Sequence, residues 1–330
     1  MNILLTGGAG FIGSHLTKRL LNLGFKVICI DNLNTYYDPQ IKINNINEVK
    51  PHPKFKFYHN DIRDKKAVDY IFSQHKIDLV IHLAAQAGVR PSIEDPQLYY
   101  DVNITGTLNL LEAMKAHACS KMLFGSSSSV YGNNKKVPFS EKDAVDNPIS
   151  PYAATKKSGE LLCHTFHHLY GFDIFCLRFF SVYGPGQRPE MAIAKFTKAI
   201  FENKEIPMYG DGSSARDYTY VDDIVNGVLL SLKHLKGFDV FNLGESKTIK
   251  LIELIRLIES VCERKADIKQ LPMQAGDVTI TFADISKSNK LLGYSPKTTI
   301  EEGVRRYVNW YRQNHIIKFE SIYQESLNGK

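Results

Sequence analysis

The chain has 330 residues, 43% hydrophobic and 23% charged, enough for one large or two joined domains with a core that needs no staples. That composition excludes a disordered, collagenous or coiled-coil chain. Lys+Arg 41 against Asp+Glu 35 gives a net charge of +6 with no basic block, which argues against a nucleic-acid-binding protein and reads as ordinary solubility charge. Five scattered cysteines without a CxxC fit reduced thiols and a cytoplasmic protein. No apolar run approaches the ~20 residues of a membrane helix, and the apolar opening Met1–Leu5 runs straight into glycines, as a buried strand rather than a signal peptide does.

In chain order, a strand is predicted at Asn2–Thr6, then the glycine loop Gly7–Gly13 and a helix Ser14–Leu23 ended by Gly24. Further strands are expected at Phe25–Ile30, Phe55–His59, Leu79–Leu83, Lys121–Phe124 and Asp173–Phe179, separated by helices at Lys65–Gln74, Gln97–His117 and Tyr152–Tyr170. This alternation implies right-handed crossovers and a doubly wound parallel α/β sheet of Rossmann type. After Phe180 the elements shorten into a smaller, interleaved C-terminal α/β substrate domain. Residues 1–180 are expected to form the first domain, with 217–245 returning to it as a helix Tyr218–Leu232 and a strand Val240–Leu243. Residues 181–216 and 246–330 would form the second.

Strand, glycine loop, helix and an acidic residue ending the next strand is the dinucleotide-binding arrangement. Gly7 permits the turn, Gly10 admits the pyrophosphate and Gly13 lets helix and sheet pack. The spacing is GxxGxxG rather than GxGxxG. Asp31 would accept from both hydroxyls of the adenosine ribose and repel a 2′-phosphate, so the expected cofactor is NAD rather than NADP. Asp61-Ile62 would meet the adenine, or Asp61 would cap the helix that follows.

Tyr152 and Lys156 stand at i and i+4 near a helix start, so phenol and ammonium can converge. A free tyrosine titrates near ~10. A neighbouring cation favours phenolate and makes Tyr152 a candidate general base. Gly125-Ser126-Ser127-Ser128-Ser129 follows the fifth strand, where ligands bind doubly wound sheets. His164 and His168 share helical spacing without a third ligand, and no metal is expected.

These features, with His82–Arg90, Ser126–Gly132, Ser150–Lys156, Arg178–Ala192, Arg216–Asp223 and Leu271–Val278, resemble the extended short-chain dehydrogenase/reductases, specifically the nucleotide-sugar 4-epimerases. Among these the chain is most like the UDP-glucuronate 4-epimerases, with the UDP-glucose/UDP-galactose (or N-acetylhexosamine) enzymes as the rival. The resemblance implies Ser127, Tyr152 and Lys156 as catalytic residues, with Lys156 also binding the nicotinamide ribose and lowering the Tyr152 pKa. Phe11, Ile12, Asn32, Leu83, Ala84, Ala85, Gln86, Asn103, Ser126 and Phe180 fall at its NAD contacts. Ser128, Ser129, Ser181 and Arg188 fall where the sugar carboxylate is gathered, and Ala192, Lys195, Tyr209, Arg216, Gln274 and Asp277 fall along the UDP. Ser181 stands where glucose-type enzymes usually carry Asn. Gln274 stands where they often carry a phosphate-binding arginine, and residues 208–212 follow the general epimerase pattern.

The implied reaction is reversible 4-epimerisation of a UDP-sugar, most like UDP-glucuronate to UDP-galacturonate, through a 4-keto intermediate with tightly held NAD, in a homodimer. Ser128-Ser129 replace the acidic pair that a 4,6-dehydratase of this superfamily needs. The same serines disfavour a decarboxylase and a 3,5-epimerase/reductase. A non-catalytic NAD-sensing protein of this fold would not need Ser127, Tyr152 and Lys156 together.

Overall fold

A computed structural model describes residues 1–272 and 278–317. Seven parallel strands form the central sheet, in the spatial order Phe55–His59, Lys26–Asp31, Asn2–Thr6, Leu79–His82, Lys121–Ser127, Asp173–Phe179, Phe238–Leu243. The first strand lies between the second and fourth, with Leu5 opposite both Cys29 and Ile81. The winding direction reverses beside it, which opens a crevice at the carboxyl ends of the strands. Side chains alternate across the sheet. Ile3 and Leu5 join the core layer on one face, Leu4 that on the other, and none is more than 1% exposed. Helices cover both faces, so the architecture is the expected doubly wound one.

Local chemistry accounts for the departures from the predicted elements. The first helix begins at Phe11, three residues early, directly on the glycine loop. An unpredicted helix, Pro39–Val49, has its start signal in Asp38-Pro39: the Asp38 carboxylate accepts from the Gln40 N–H at 2.9 Å, and proline fills the first turn. The helix expected over Gln97–His117 is interrupted, as Pro96–Tyr100, a π-turn Asp101–Thr105 and Gly106–Ala116. Tyr218–Leu232 is not one helix. Tyr218–Tyr220 is a strand paired with Ser181–Tyr183, as its aromatic and β-branched residues favour, and the helix runs Val221–His234 with Asp222 and Asp223 in its first turn.

Beyond Phe180, Glu205–Tyr209 pairs with Asp267–Leu271, and Ala215–Arg216 with Ile249–Lys250. The helices Ala192–Phe201, Leu251–Cys262 and Ile300–Tyr311 pack through Ile193, Ile200, Leu254, Ile258, Val304 and Val308, all buried. The five cysteines are free and buried. Among the described residues, no helix is long and apolar enough to cross a membrane.

Candidate active site

The crevice is a cavity of about 470 Å³. Its floor is the glycine loop. Gly7 sits at φ +71°, and a Cβ there would lie 2.7 Å from the Ala84 nitrogen; at Gly13 it would lie 2.1 Å from the Gly7 carbonyl oxygen. At Gly10 a Cβ would lie 3.3 Å from the Gly7 carbonyl oxygen, a tight contact, and the residue lines the cavity. The Phe11–Asn22 helix that follows has no side-chain cap and no acidic residue in its first turn. Its N–H groups and positive dipole end are left for an anion. A cavity-lining glycine and an uncapped helix fit a dinucleotide pyrophosphate.

Asp31 ends the second strand, 8% exposed, accepting from Ala9 N–H at 3.1 Å and Leu33 N–H at 2.9 Å; burial raises its pKa. Asn32 Nδ2 donates to Asp61 Oδ2 at 2.8 Å. Asp61 also accepts from Arg63 through its N–H, Nε and Nη2. The helix cap is a different residue, Asp64, which accepts from Lys66 and Ala67. Asp61 and Ile62 line the cavity, as do Phe11, Ile12, Leu83, Ala84, Ala85 and Gln86. Asn103 does not line it. From the π-turn its amide accepts from Gln86 N–H at 2.8 Å and donates to the Gln86 carbonyl at 3.0 Å and to Thr155 Oγ1 at 2.9 Å. It therefore props the loop rather than facing a ligand.

At the other end the fifth strand runs on to Ser127, further than predicted. Ser127 Oγ accepts from the Ser129 N–H at 3.1 Å and lies 3.0 Å from Ser129 Oγ. Ser127 and the Tyr152 phenol line the same end of the cavity. Ser150 caps the Pro151–Tyr170 helix by accepting from the Ala153 N–H, which sets Tyr152 and Lys156 in its first turns. Lys156 Nζ donates to the Gly125 carbonyl at 2.6 Å. Burial pulls the Lys156 pKa down to about 8. The Tyr152 pKa is raised by burial, opposed by the nearby Ser127 hydroxyl and the Arg188 charge. Lys156 thus points at a carbonyl, and Ser127 and Arg188 are the neighbouring groups that favour the phenolate.

Ser126 lines the cavity, but its hydroxyl is committed to Glu160 at 2.6 Å. Arg178 grips both Glu160 oxygens at 2.8 Å and donates to the Tyr131 hydroxyl at 3.0 Å. Ser128, Ser129, Phe180, Ser181 and Arg188 line the same end. Arg188 Nε lies 3.1 Å from Glu190 Oε1, and its guanidinium carbon 5.5 Å from the Tyr36 ring centre.

A smaller cavity of about 240 Å³ is lined by Ala192, Lys195 and Tyr209; Met191 and Arg216 line both cavities. Arg90 lies over the Tyr209 ring at 4.6 Å. Gln274 and Asp277 lie outside the described residues. Sequence reasoning gave no site role to Asn34, Tyr36, Tyr37, Lys42, Met191 or Thr281, all cavity-lining. For the first four, the capping pair Asp38-Pro39 was the available signal, since that helix brings Lys42 Nζ to Asn34 Oδ1 at 2.6 Å.

The sequence pattern of the GDP-mannose 4,6-dehydratase family matches residues 4–307, and this span holds both cavities. The chain belongs to that family. Its relatives place it with the nucleotide-sugar epimerases of the short-chain dehydrogenase/reductases. A UDP-glucuronate 4-epimerase of Thermodesulfobacterium geofontis is 49% identical over 312 residues, 94% of this chain and 96% of the relative. The crystal structure of a Bacillus cereus UDP-glucuronic acid 4-epimerase with UDP-glucuronic acid and NAD superposes with TM-score 0.89 at 37% identity, covering 95% of this chain and 99% of that one. A Thermotoga maritima UDP-glucose 4-epimerase with UDP-glucose gives 0.88 at 36% identity, with the same coverage.

Proposed function

We propose that the chain is an NAD-dependent UDP-sugar 4-epimerase acting between UDP-glucuronate and UDP-galacturonate. The observation that carries this reading is the half-buried Tyr152 phenol, which lines the same cavity end as Ser127 and Arg188, in a cavity floored by the glycine loop. Relatives and solved neighbours with this activity support it. The phosphate loop, Asp31 and the loop held by Asn103 would hold NAD. When bound, NAD supplies reversible two-electron oxidation at the sugar C4.

Tyr152 takes the proton from the 4-hydroxyl and Ser127 holds that oxygen in line. Lys156, held on the Gly125 carbonyl one helical turn from Tyr152, keeps its positive charge while its pKa of about 8 exceeds the ambient pH. The UDP, held by Arg216, Lys195 and Tyr209 in the second cavity, stays fixed while the 4-keto ring turns over. Tyr152 then returns the proton to the 4-oxygen, while the hydride that bound NAD would give back reaches C4 on its other face. Anchoring the part of the substrate that does not react keeps the ketone from escaping. Arg188, with Ser128, Ser129 and Ser181, would receive the carboxylate, for which a guanidinium fork is geometrically suited.

One observation favours the rival, UDP-glucose to UDP-galactose: Glu190 already balances part of the Arg188 charge. Purified protein incubated separately with UDP-glucuronate, UDP-glucose and UDP-N-acetylglucosamine should epimerise the acid fastest. Arg188→Ala should reduce kcat/KM for the acid at least about tenfold more than for the neutral sugars, as loss of a charge-assisted pair predicts. Equal losses would refute the carboxylate role. We also assign residues 1–180 and 217–245 to a cofactor-binding domain and 181–216 and 246–330 to a sugar-nucleotide domain, in a cytoplasmic homodimer.

A further inference from the structure

Arg188 belongs to the segment after Phe180, whereas Tyr36 belongs to the loop after Asp31. The two face each other across the cavity. The Arg188 guanidinium lies over the Tyr36 ring at 5.5 Å, within the ~6 Å reach of a cation–π contact. Its edge is engaged elsewhere, Nε with Glu190 at 3.1 Å and Nη2 with the Met191 sulfur at 3.4 Å. The ring is therefore what the guanidinium face rests on.

Tyr36 is itself fixed. Its N–H donates to Asn34 Oδ1 at 3.3 Å, and that oxygen is anchored by buried Lys42. The Tyr37 ring meets it edge-on at 6.5 Å. Its hydroxyl packs on Gly88, at φ +107°, where a Cβ would lie 2.5 Å away. An arginine side chain has many rotamers, and ordering them is a cost that falls on substrate binding unless the free protein has already ordered it.

We propose that Tyr36 is a specificity-determining positioning residue, whose ring face holds the Arg188 guanidinium at the sugar end of the cavity and so favours a UDP-sugar bearing a carboxylate over one bearing a hydroxymethyl group. The inference rests on the assignment of Arg188 to the carboxylate. Tyr36 touches no reacting atom; it acts through the arginine.

The test measures binding of UDP-glucuronate and UDP-glucose to the NAD-loaded protein by titration calorimetry, in a Tyr152→Phe background that cannot take the 4-hydroxyl proton. Tyr36→Phe keeps the ring and should keep the parent's ratio of affinities. Tyr36→Leu removes the ring and should lose about tenfold more affinity for UDP-glucuronate than for UDP-glucose, the size of a partly desolvated cation–π contact. Combining Tyr36→Leu with Arg188→Ala should add little to Arg188→Ala alone, since the ring then has nothing to hold.

Equal losses for the two sugars in Tyr36→Leu, no loss, additive losses in the double variant, or Tyr36→Phe behaving as Tyr36→Leu would each overturn the proposal. Arg188→Ala separates it from the reading beneath. If that variant weakens both sugars alike, the carboxylate assignment fails and the proposal with it. If it discriminates while Tyr36→Leu does not, only the role of Tyr36 falls.

Discussion

Gly13 and Gly10 sit three residues apart on one turn yet face different demands. A methyl at Gly13 would strike backbone at 2.1 Å, and backbone cannot swing aside as a side chain can. At Gly10 an added Cβ would lie 3.3 Å from the Gly7 carbonyl oxygen, a tight contact but not an overlap. Gly13→Ala is therefore expected to cost stability, about 1–3 kcal/mol by the usual scale of overpacking, and to weaken NAD binding as well. Denaturant midpoints and the NAD content of the purified variant check both. Gly7, Gly10, Gly13 and Asp31 were legible in the sequence because a local turn and a strand end dictate them. Lys42 was not: it reaches the site through a helix with little apolar periodicity, and a lysine 5% exposed is rare enough that its burial is seen only in three dimensions.

The Pro151–Tyr170 helix presents Tyr152, Lys156 and Glu160 at successive i, i+4 positions along one stripe. The first two were evident from spacing. The third was not, because its partners Ser126 and Arg178 come from two neighbouring strands and only the sheet brings them together. The stripe has a consequence for pH. Lys156 is a cation below about pH 8 and loses its charge as pH rises through that value. Activity should therefore show an alkaline limb near 8. Burial is what depresses this pKa, while the Glu160 charge works in the other direction and supports the ammonium. Removing that charge in Glu160→Gln should shift the limb to lower pH, and a pH profile of kcat/KM reads the shift. A limb that stays in place or moves upward would contradict this coupling.

Across the whole molecule, the doubly wound sheet was readable because each crossover repeats the same strand–helix rhythm. The segments beyond Phe180 were less so: their two- and three-residue strands are defined by distant partners, such as Tyr218–Tyr220 with Ser181–Tyr183. The outer surface carries its own signal. Leu161 and Leu169 on the Pro151–Tyr170 helix are 55% and 59% exposed, with Tyr100 and Leu108 also exposed on the neighbouring helices. The homodimer proposed above would cover such exposed apolar residues. The parent should run at twice the chain mass in light scattering, and Leu161→Glu should run as a monomer; a parent at the single-chain mass would refute the homodimer.

The strand Phe238–Leu243 lies beside Asp173–Phe179 in space but follows it by more than fifty residues in the chain. A fragment ending near residue 180 would thus bare a row of unpaired backbone amides and carbonyls along the sheet border and invite clumping. Anyone grafting a new specificity onto this scaffold should replace the 181–216 excursion as an insert between two fixed posts, since a simple tail exchange would remove one of them.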